Sequence, residues 1–339
     1  LFRSTPEIDL THDKSFLGHP KGLGYLAFTE AWERFSFYGM QALLVLYMTK
    51  HLLLPGQVET VGGIEQLRAL YGGIDGQKFA SAIFGTYAAA VYLTPILGGW
   101  LADRVLGKRR TVLLGAITMS LGHFLMAFNV TFLLALLCLI LGSGMFKGNI
   151  ASQVGSLYKP EDLRRADAFQ IFYLAINAGV IASPLVVGTL GETVGWHWGF
   201  GAAGVGMLIG LAIYVAGQKH LPKEHFDVPA AAAAPREAMS RQDWLATAAL
   251  LLLIPVMALA IVPNNQIFNA YLVWADEHFQ LTFFGTTLPT SYMITIDAAL
   301  SFSMLAVVAL FWKWRSDRGG WEPDEIGKMI LGSFFVIGG

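Results

Sequence analysis

Charge is scarce in this sequence. Only 14% of its 339 residues are Asp, Glu, Lys or Arg, where a soluble domain carries about a quarter. The shortage excludes an ordinary water-soluble globule. A net charge of −1 excludes a protein that gathers nucleic acid by charge, since that task needs a marked basic excess. Cysteine is nearly absent: the single Cys138 cannot form an internal disulfide and leaves the redox compartment open. Residues 1–20 contain no apolar core of a signal peptide. Because the chain opens on Leu1 rather than Met, preceding residues are expected. Metal-ligand spacing, nucleophile–base pairs and phosphate loops are also missing from the motifs, so neither enzymatic chemistry nor a cofactor is expected.

Hydrophobic residues make up 55% of the chain, and they fall in blocks. A bilayer core requires about 20 apolar residues per spanning helix. The blocks predict eight spans at about 23–51, 76–101, 107–128, 131–154, 166–190, 198–217, 243–275 and 286–314, with a ninth starting near Ile326. Pro255 and Pro263 predict a kink in the seventh, tolerated where neighbours or water satisfy the freed carbonyls.

Basic residues alternate from loop to loop. Arg104, Lys108, Arg109 and Arg110 follow span two; Lys159, Arg164 and Arg165 follow span four. Lys219, Lys223, Arg236 and Arg241 follow span six; Lys313, Arg315 and Arg318 follow span eight. The odd-numbered loops hold only Arg68, with Lys50 and Lys78 at the edges of the first. Positive charge marks the cytoplasmic side, so the N-terminus is expected inside. The expected organisation is a tail at 1–22, a six-helix bundle at 23–217, a linker at 218–242 around the alanine run Pro229–Pro235, and a partial second bundle at 243–339. Arg315–Trp321 echoes Ala102–Arg110, as two parallel repeats would.

Ionisable residues inside spans cost about 2.5–3.5 kcal/mol each on insertion scales and require a partner or a wet cavity. Span one holds Glu30, Glu33 and Arg34. Glu30 and Arg34 are i,i+4 and share a face, which Tyr38 and Gln41 extend. Lys147 in span four has no partner in its own helix. Gly142, Gly144 and Gly148 flank it, and small residues admit a close neighbour, so Lys147 is expected to point into the bundle. Asp297 lies in span eight and Asn177 in span five. His123 in span three reads as a packing histidine. Gly98, Gly99, Asp103 and Arg104 form a second motif between spans two and three, read as a gating latch in which Asp103 caps the following helix.

These residues resemble the proton-coupled oligopeptide transporter (POT/PTR) family of the major facilitator superfamily. Span one reads Glu30-x-x-Glu33-Arg34-Phe35-x-Phe37-Tyr38-Gly39, against ExxERFxYYG. The loop after span two matches GGxxADRxxG. Span four carries Gly142, Gly144, Lys147 and Asn149 against GxGxxKPN, and span five carries Phe172, Tyr173, Ile176, Asn177 and Gly179 against FYxxINxG. Phe37 stands for a Tyr, Gly148 for a Pro, Gln41 where many members have a second Arg, Asn265 where many have a Glu, and Asp297 at a position often Asn.

The resemblance implies an all-α transmembrane protein of the major facilitator fold. Two six-helix bundles are expected, the second truncated here, around a central cavity. It implies import of di- and tripeptides with protons by a monomer in the cell membrane, a bacterial inner membrane. Glu30, Glu33 and Lys147 are then the proton-coupling candidates. Arg34 and Lys147 would clamp the peptide carboxylate with charge-assisted bonds. Tyr38, Gln41, Tyr92, Asn177 and Asn265 would line the site, with Asp297 at the ammonium, and Asp103 and Arg104 would gate it. In the empty site Lys147 is expected to pair with a span-one glutamate. A carrier of nitrate or another small anion, and a non-transporting peptide sensor, remain open.

Overall fold

The computed structural model describes residues 13–222, 240–319 and 323–338. Tail residues 1–12, the linker residues Lys223, Pro229–Pro235 and Arg236, and Trp321 lie outside the described residues. Nearly all of the rest is helix: α1 (Lys21–Tyr47), the short α2 (Ile64–Leu70), α3 (Gly76–Leu101), α4 (Lys108–Leu125), α5 (Phe132–Gly155), α6 (Arg164–Ser183), α7 (Trp196–Gly217), α8 (Arg241–Asn265), α9 (Ala270–His278), α10 (Tyr292–Asp317) and α11 (Glu325–Gly338). Turns of π-helix extend α1 to Leu52, α3 to Leu106 and α6 to Val194.

Among the described residues, five helical segments are long and apolar enough to cross a membrane: Gly76–Leu106, Asn129–Gly155, Arg164–Val194, Trp196–His220 and Tyr292–Asp317. α1 carries Glu30, Glu33 and Arg34, and it is the helix the others cover. It packs against α6 and α7, and Leu23, Leu26, Met40, Leu43, Leu44, Leu46 and Tyr47 are wholly buried. Polar residues are tolerated there because protein, not lipid, surrounds them.

Close helix contact rests on missing side chains. A Cβ on Gly115 would lie 2.7 Å from the Gly142 carbonyl oxygen, and one on Gly142 would lie 2.8 Å from the Gly115 carbonyl oxygen. Gly98 of α3 meets the Gly144 backbone of α5, and Gly179 of α6 meets the Ala31 carbonyl of α1. Small residues of this kind let backbones approach to van der Waals distance. Gly148, standing for a proline, has open space before it.

Three local expectations are corrected. Asp103 does not cap α4: it is exposed within the π-turn Ala102–Leu106, and the N-cap is Gly107 at φ 79°, a left-handed conformation costly for other residues. The span expected over 243–275 is not one helix: α8 runs through Pro255 and Pro263, and the interruption comes at Gln266–Asn269, where Asn269 has φ −132° and ψ −105°. Asparagine side chains compete with the helix backbone for hydrogen bonds, and three of them stand at 264, 265 and 269. Residues 286–291 are not helical. Thr282–Phe283 and Thr286–Thr287 form a two-stranded hairpin whose turn residues Phe284 and Gly285 both have positive φ, the geometry that suits strand twist.

By contacts the chain forms two compact units, Leu1–Thr295 and Ile296–Gly339, divided inside α10. The first unit holds the core. The second exposes much apolar surface, including Leu300, Met304, Leu305 and Leu310.

Candidate functional site

Midway along α1, Glu30, Glu33 and Arg34 make a compact charge cluster. Arg34 Nε donates to Glu30 Oε1 at 2.7 Å, and lies 3.0 Å from Glu33 Oε2. Both carboxyls are buried. The Glu30 spacing gives one contact, i,i+4 on a helix; the Glu33 contact needs the guanidinium to fold sideways round α1. Glu30 Oε2 and Glu33 Oε1 are buried without a hydrogen-bond partner, leaving acceptor capacity at the centre of the bundle.

Lys147 reaches this region from α5, as its glycine-flanked position predicts. Its partner is not the expected one. Among the described residues Lys147 forms no ion pair; its Nζ stands 3.5 Å from the centroid of the Phe37 ring and 5.7 Å from that of Tyr92 on α3. The expected pairing with a glutamate is not formed: Arg34 is the cation that pairs with both acids, and the Lys147 ammonium rests on the Phe37 ring. Arg34 Cζ lies 5.9 Å from the same Phe37 ring.

Tyr38 is half-buried beside Phe37, and its ring meets Phe268 at 5.7 Å, between α1 and the turn after α8. Gln41 is buried one turn further along. Tyr92 is exposed. Asn177 bonds its own helix, its Nδ2 donating to the Tyr173 carbonyl oxygen at 2.8 Å, which leaves its side-chain oxygen for another donor. Asn265 ends α8. Asp297 is half-buried on α10, in the second unit. Arg104 is exposed; Arg109 donates to the carbonyl oxygens of Gln218 and, at 2.7 Å, Leu221. His123 is a packing histidine in contact with Ser36 Oγ at 2.7 Å.

Two groups of polar residues cap the ends of the helices. At the Asp13 end, Arg164 binds Asp162 at 2.8 Å and the carbonyl oxygens of Asp13 and Gly18, while His19 Nδ1 meets the Tyr158 hydroxyl at 2.9 Å. The Arg164 guanidinium holds the Asp162 carboxyl below the usual range. The Ser15 hydroxyl and the Lys21 backbone N–H do the same for Asp13. At the Lys50 end, Lys50 Nζ pairs with Asp276 of α9 at 2.6 Å, and Asp276 also accepts from Thr290 Oγ1 at 2.7 Å. Glu192 accepts from the backbone N–H groups of Thr290 and Ser291 at 2.8 and 2.9 Å, where an anion suits a helix N-terminus.

Sequence reasoning missed Glu192 and Asp276, which lie just outside or at the end of predicted spans, and Phe37 as a contact of Lys147. It also missed the clamp by Asn149, whose Nδ2 donates to the Gly98 and Met145 carbonyl oxygens at 3.2 and 2.8 Å.

The chain is similar to several known proteins. Residues 109–230 match the family described as PTR2: POT family. A di-/tripeptide transporter of Lactococcus lactis is 36% identical over 291 residues, covering 83% of this chain and 53% of that protein. The peptide transporter YePEPT of Yersinia enterocolitica is 42% identical over 206 residues, covering 59% of this chain and 37% of its own length. The chain thus spans about half the length, or less, of the curated relatives it matches. Among solved structures, that of peptide transporter POT in complex with sulfate superposes with a TM-score of 0.69 at 31% identity, over 91% of this chain and 71% of that one.

Proposed function

We propose a transport function on one premise: this chain belongs to the POT family. It is a multi-pass membrane protein of the major facilitator fold. Our reading is that the protein carries di- and tripeptides together with protons by alternating access, and does no covalent chemistry.

The observation that carries this reading is the balance of the central cluster. Two buried acids face one guanidinium, and a second cation stands by without an acid of its own. The formal charges of Glu30, Glu33, Arg34 and Lys147 sum to zero. A proton arriving on either acid leaves one positive charge in excess, in surroundings where charge is poorly screened. A substrate carboxylate restores neutrality. Proton and carboxylate therefore favour each other's binding, and that reciprocal coupling is what a symporter requires. A peptide offers such a carboxylate whatever its side chains. Tyr38, Tyr92 and Asn177 add neutral hydrogen-bonding groups suited to a backbone.

Release requires the site to open to one side at a time. From the basic loops we read the N-terminus as cytoplasmic, so that the Lys50 end faces outward. There the Lys50–Asp276 pair and the Glu192 contacts fasten the first six spans to the segments after α8. We read this as the closed outer side of a monomeric importer.

The test is uptake of dialanine into proteoliposomes containing the full-length protein, under an acid-outside gradient. Accumulation above equilibrium is expected, with Lys147→Ala lowering it by about 10–100-fold, the range for a lost charge-assisted hydrogen bond. A wild-type protein indifferent to the gradient ends the proposal. A small-anion carrier is the second reading, favoured by two cations at one site and by the sulfate bound in the solved relative. Nitrate, rather than dialanine, would then compete best for uptake.

A further inference from the structure

Lys147 presents an unusual combination. Its ammonium is held in the bundle, yet no described carboxylate, carbonyl or hydroxyl takes its three N–H donors. Its close neighbour is the face of Phe37, 3.5 Å from Nζ to centroid. The aromatic quadrupole attracts a cation over the ring face, but a phenyl ring accepts no conventional hydrogen bond and carries no charge. The contact fixes where the ammonium sits and leaves its N–H donors open to solvent or a bound solute.

The competing position is close by. Glu33 Oε1 and Glu30 Oε2 are buried and unpartnered on the neighbouring turns of α1. Position 37 follows Glu33 by four residues and Arg34 by three, so its ring stands on the face that carries the acids. A lysine that collapsed onto either acid would have to be pulled away before it could bind a substrate carboxylate.

We propose that Phe37 is a positioning residue that keeps Lys147 off the acids of α1 and ready for the substrate's carboxylate. The proposal rests on the transport reading above and deepens it. Phe37 is assigned no contact with the substrate; it acts through Lys147 at 3.5 Å, with Arg34 Cζ further off at 5.9 Å from the same ring. The ring makes the lysine a pre-organised binder, so the substrate does not bear the cost of breaking an internal ion pair.

The experiment compares dialanine with dialanine amide, which lacks the carboxylate, in uptake by the full-length protein. Phe37→Met keeps apolar volume and removes the ring face. It should raise KM for dialanine by about 3–10-fold, leave kcat within about twofold, and leave KM for the amide unchanged. Phe37→Tyr restores a ring face and should restore the wild-type KM. Where Phe37→Met does not fold, phenylalanines with one to three ring fluorines at position 37 serve instead. They keep the shape and weaken the quadrupole, and KM for dialanine should climb with each fluorine. Equal losses for dialanine and its amide, or a KM indifferent to fluorination, overturn the proposal. Wild-type protein that takes up no dialanine overturns the transport reading itself, a result distinct from active uptake that ignores position 37.

Discussion

At the Asp13 end, Arg164 and Arg109 bind Asp162 and carbonyl oxygens of the segments that precede α1 and follow α7. At the Lys50 end, Lys50 and Glu192 bind Asp276, Thr290 and Ser291, all beyond α8. The first set holds one bundle to itself. The second joins that bundle to α9 and the start of α10, and uses mainly a carboxylate against backbone N–H groups. On the alternating-access reading proposed above, the bonds to break are those at the Lys50 end, which can be remade without unfolding a helix, whereas those at the Asp13 end hold the bundle together.

The sharpest way to break this comparison is Glu192→Gln. It removes the charge from two hydrogen bonds to buried backbone donors, and charged bonds of this type contribute about 1.5–3 kcal/mol. With Cys138→Ser as background and Gln41→Cys as reporter, labelling by a membrane-impermeant maleimide from the Lys50 side should accelerate about tenfold or more. Arg109→Ala comes next. It strips two carbonyl oxygens of their donor, at about 1–3 kcal/mol, so the melting temperature should fall by several degrees while labelling of position 41 stays unchanged. Equal opening by both variants would erase the distinction between the ends.

A smaller effect comes with acid. Asp13 and Asp162 are held below their ordinary values in the folded protein. Their contribution is therefore complete above the unfolded value of about 3.9 and is lost as pH falls through the lowered folded values. Thermal stability should be level from about pH 7 to 5 with respect to these groups and decline below about pH 4, with Asp162→Asn removing part of the decline. The smallest effect belongs to Lys50→Ala. That lysine is 44% exposed, and exposed pairs contribute about 0–1 kcal/mol. Labelling of position 41 should change less than about threefold, and high salt should reproduce the change in wild type.

Much of this was legible in the residues. α3 begins and ends where its apolar block does, at Gly76 and Leu101, and Glu30 meets Arg34 as their spacing requires. Lys147 points inward because Gly142 and Gly144 let α5 approach its neighbours. What spacing could not give was competition: whether Arg34 or Lys147 would take the acids depends on the path of α5 past α1. Phe37 was hidden by its type, since an aromatic in a membrane helix reads as packing. Asp103 failed as a cap because the chain turns at Gly107, four residues later. The hairpin at 282–287 was hidden because its threonines suit a loop, strand or span edge alike.

The meeting of Gly98 with Gly144 has a mechanical consequence. With only main chain and the short Thr94 side chain between them at that crossing, α3 and α5 have little compressible layer to absorb a shift, so Tyr92 and Lys147 stand on two closely joined helices. The lysine's reach over the α1 ring is therefore set by the two helices together, not by α5 alone.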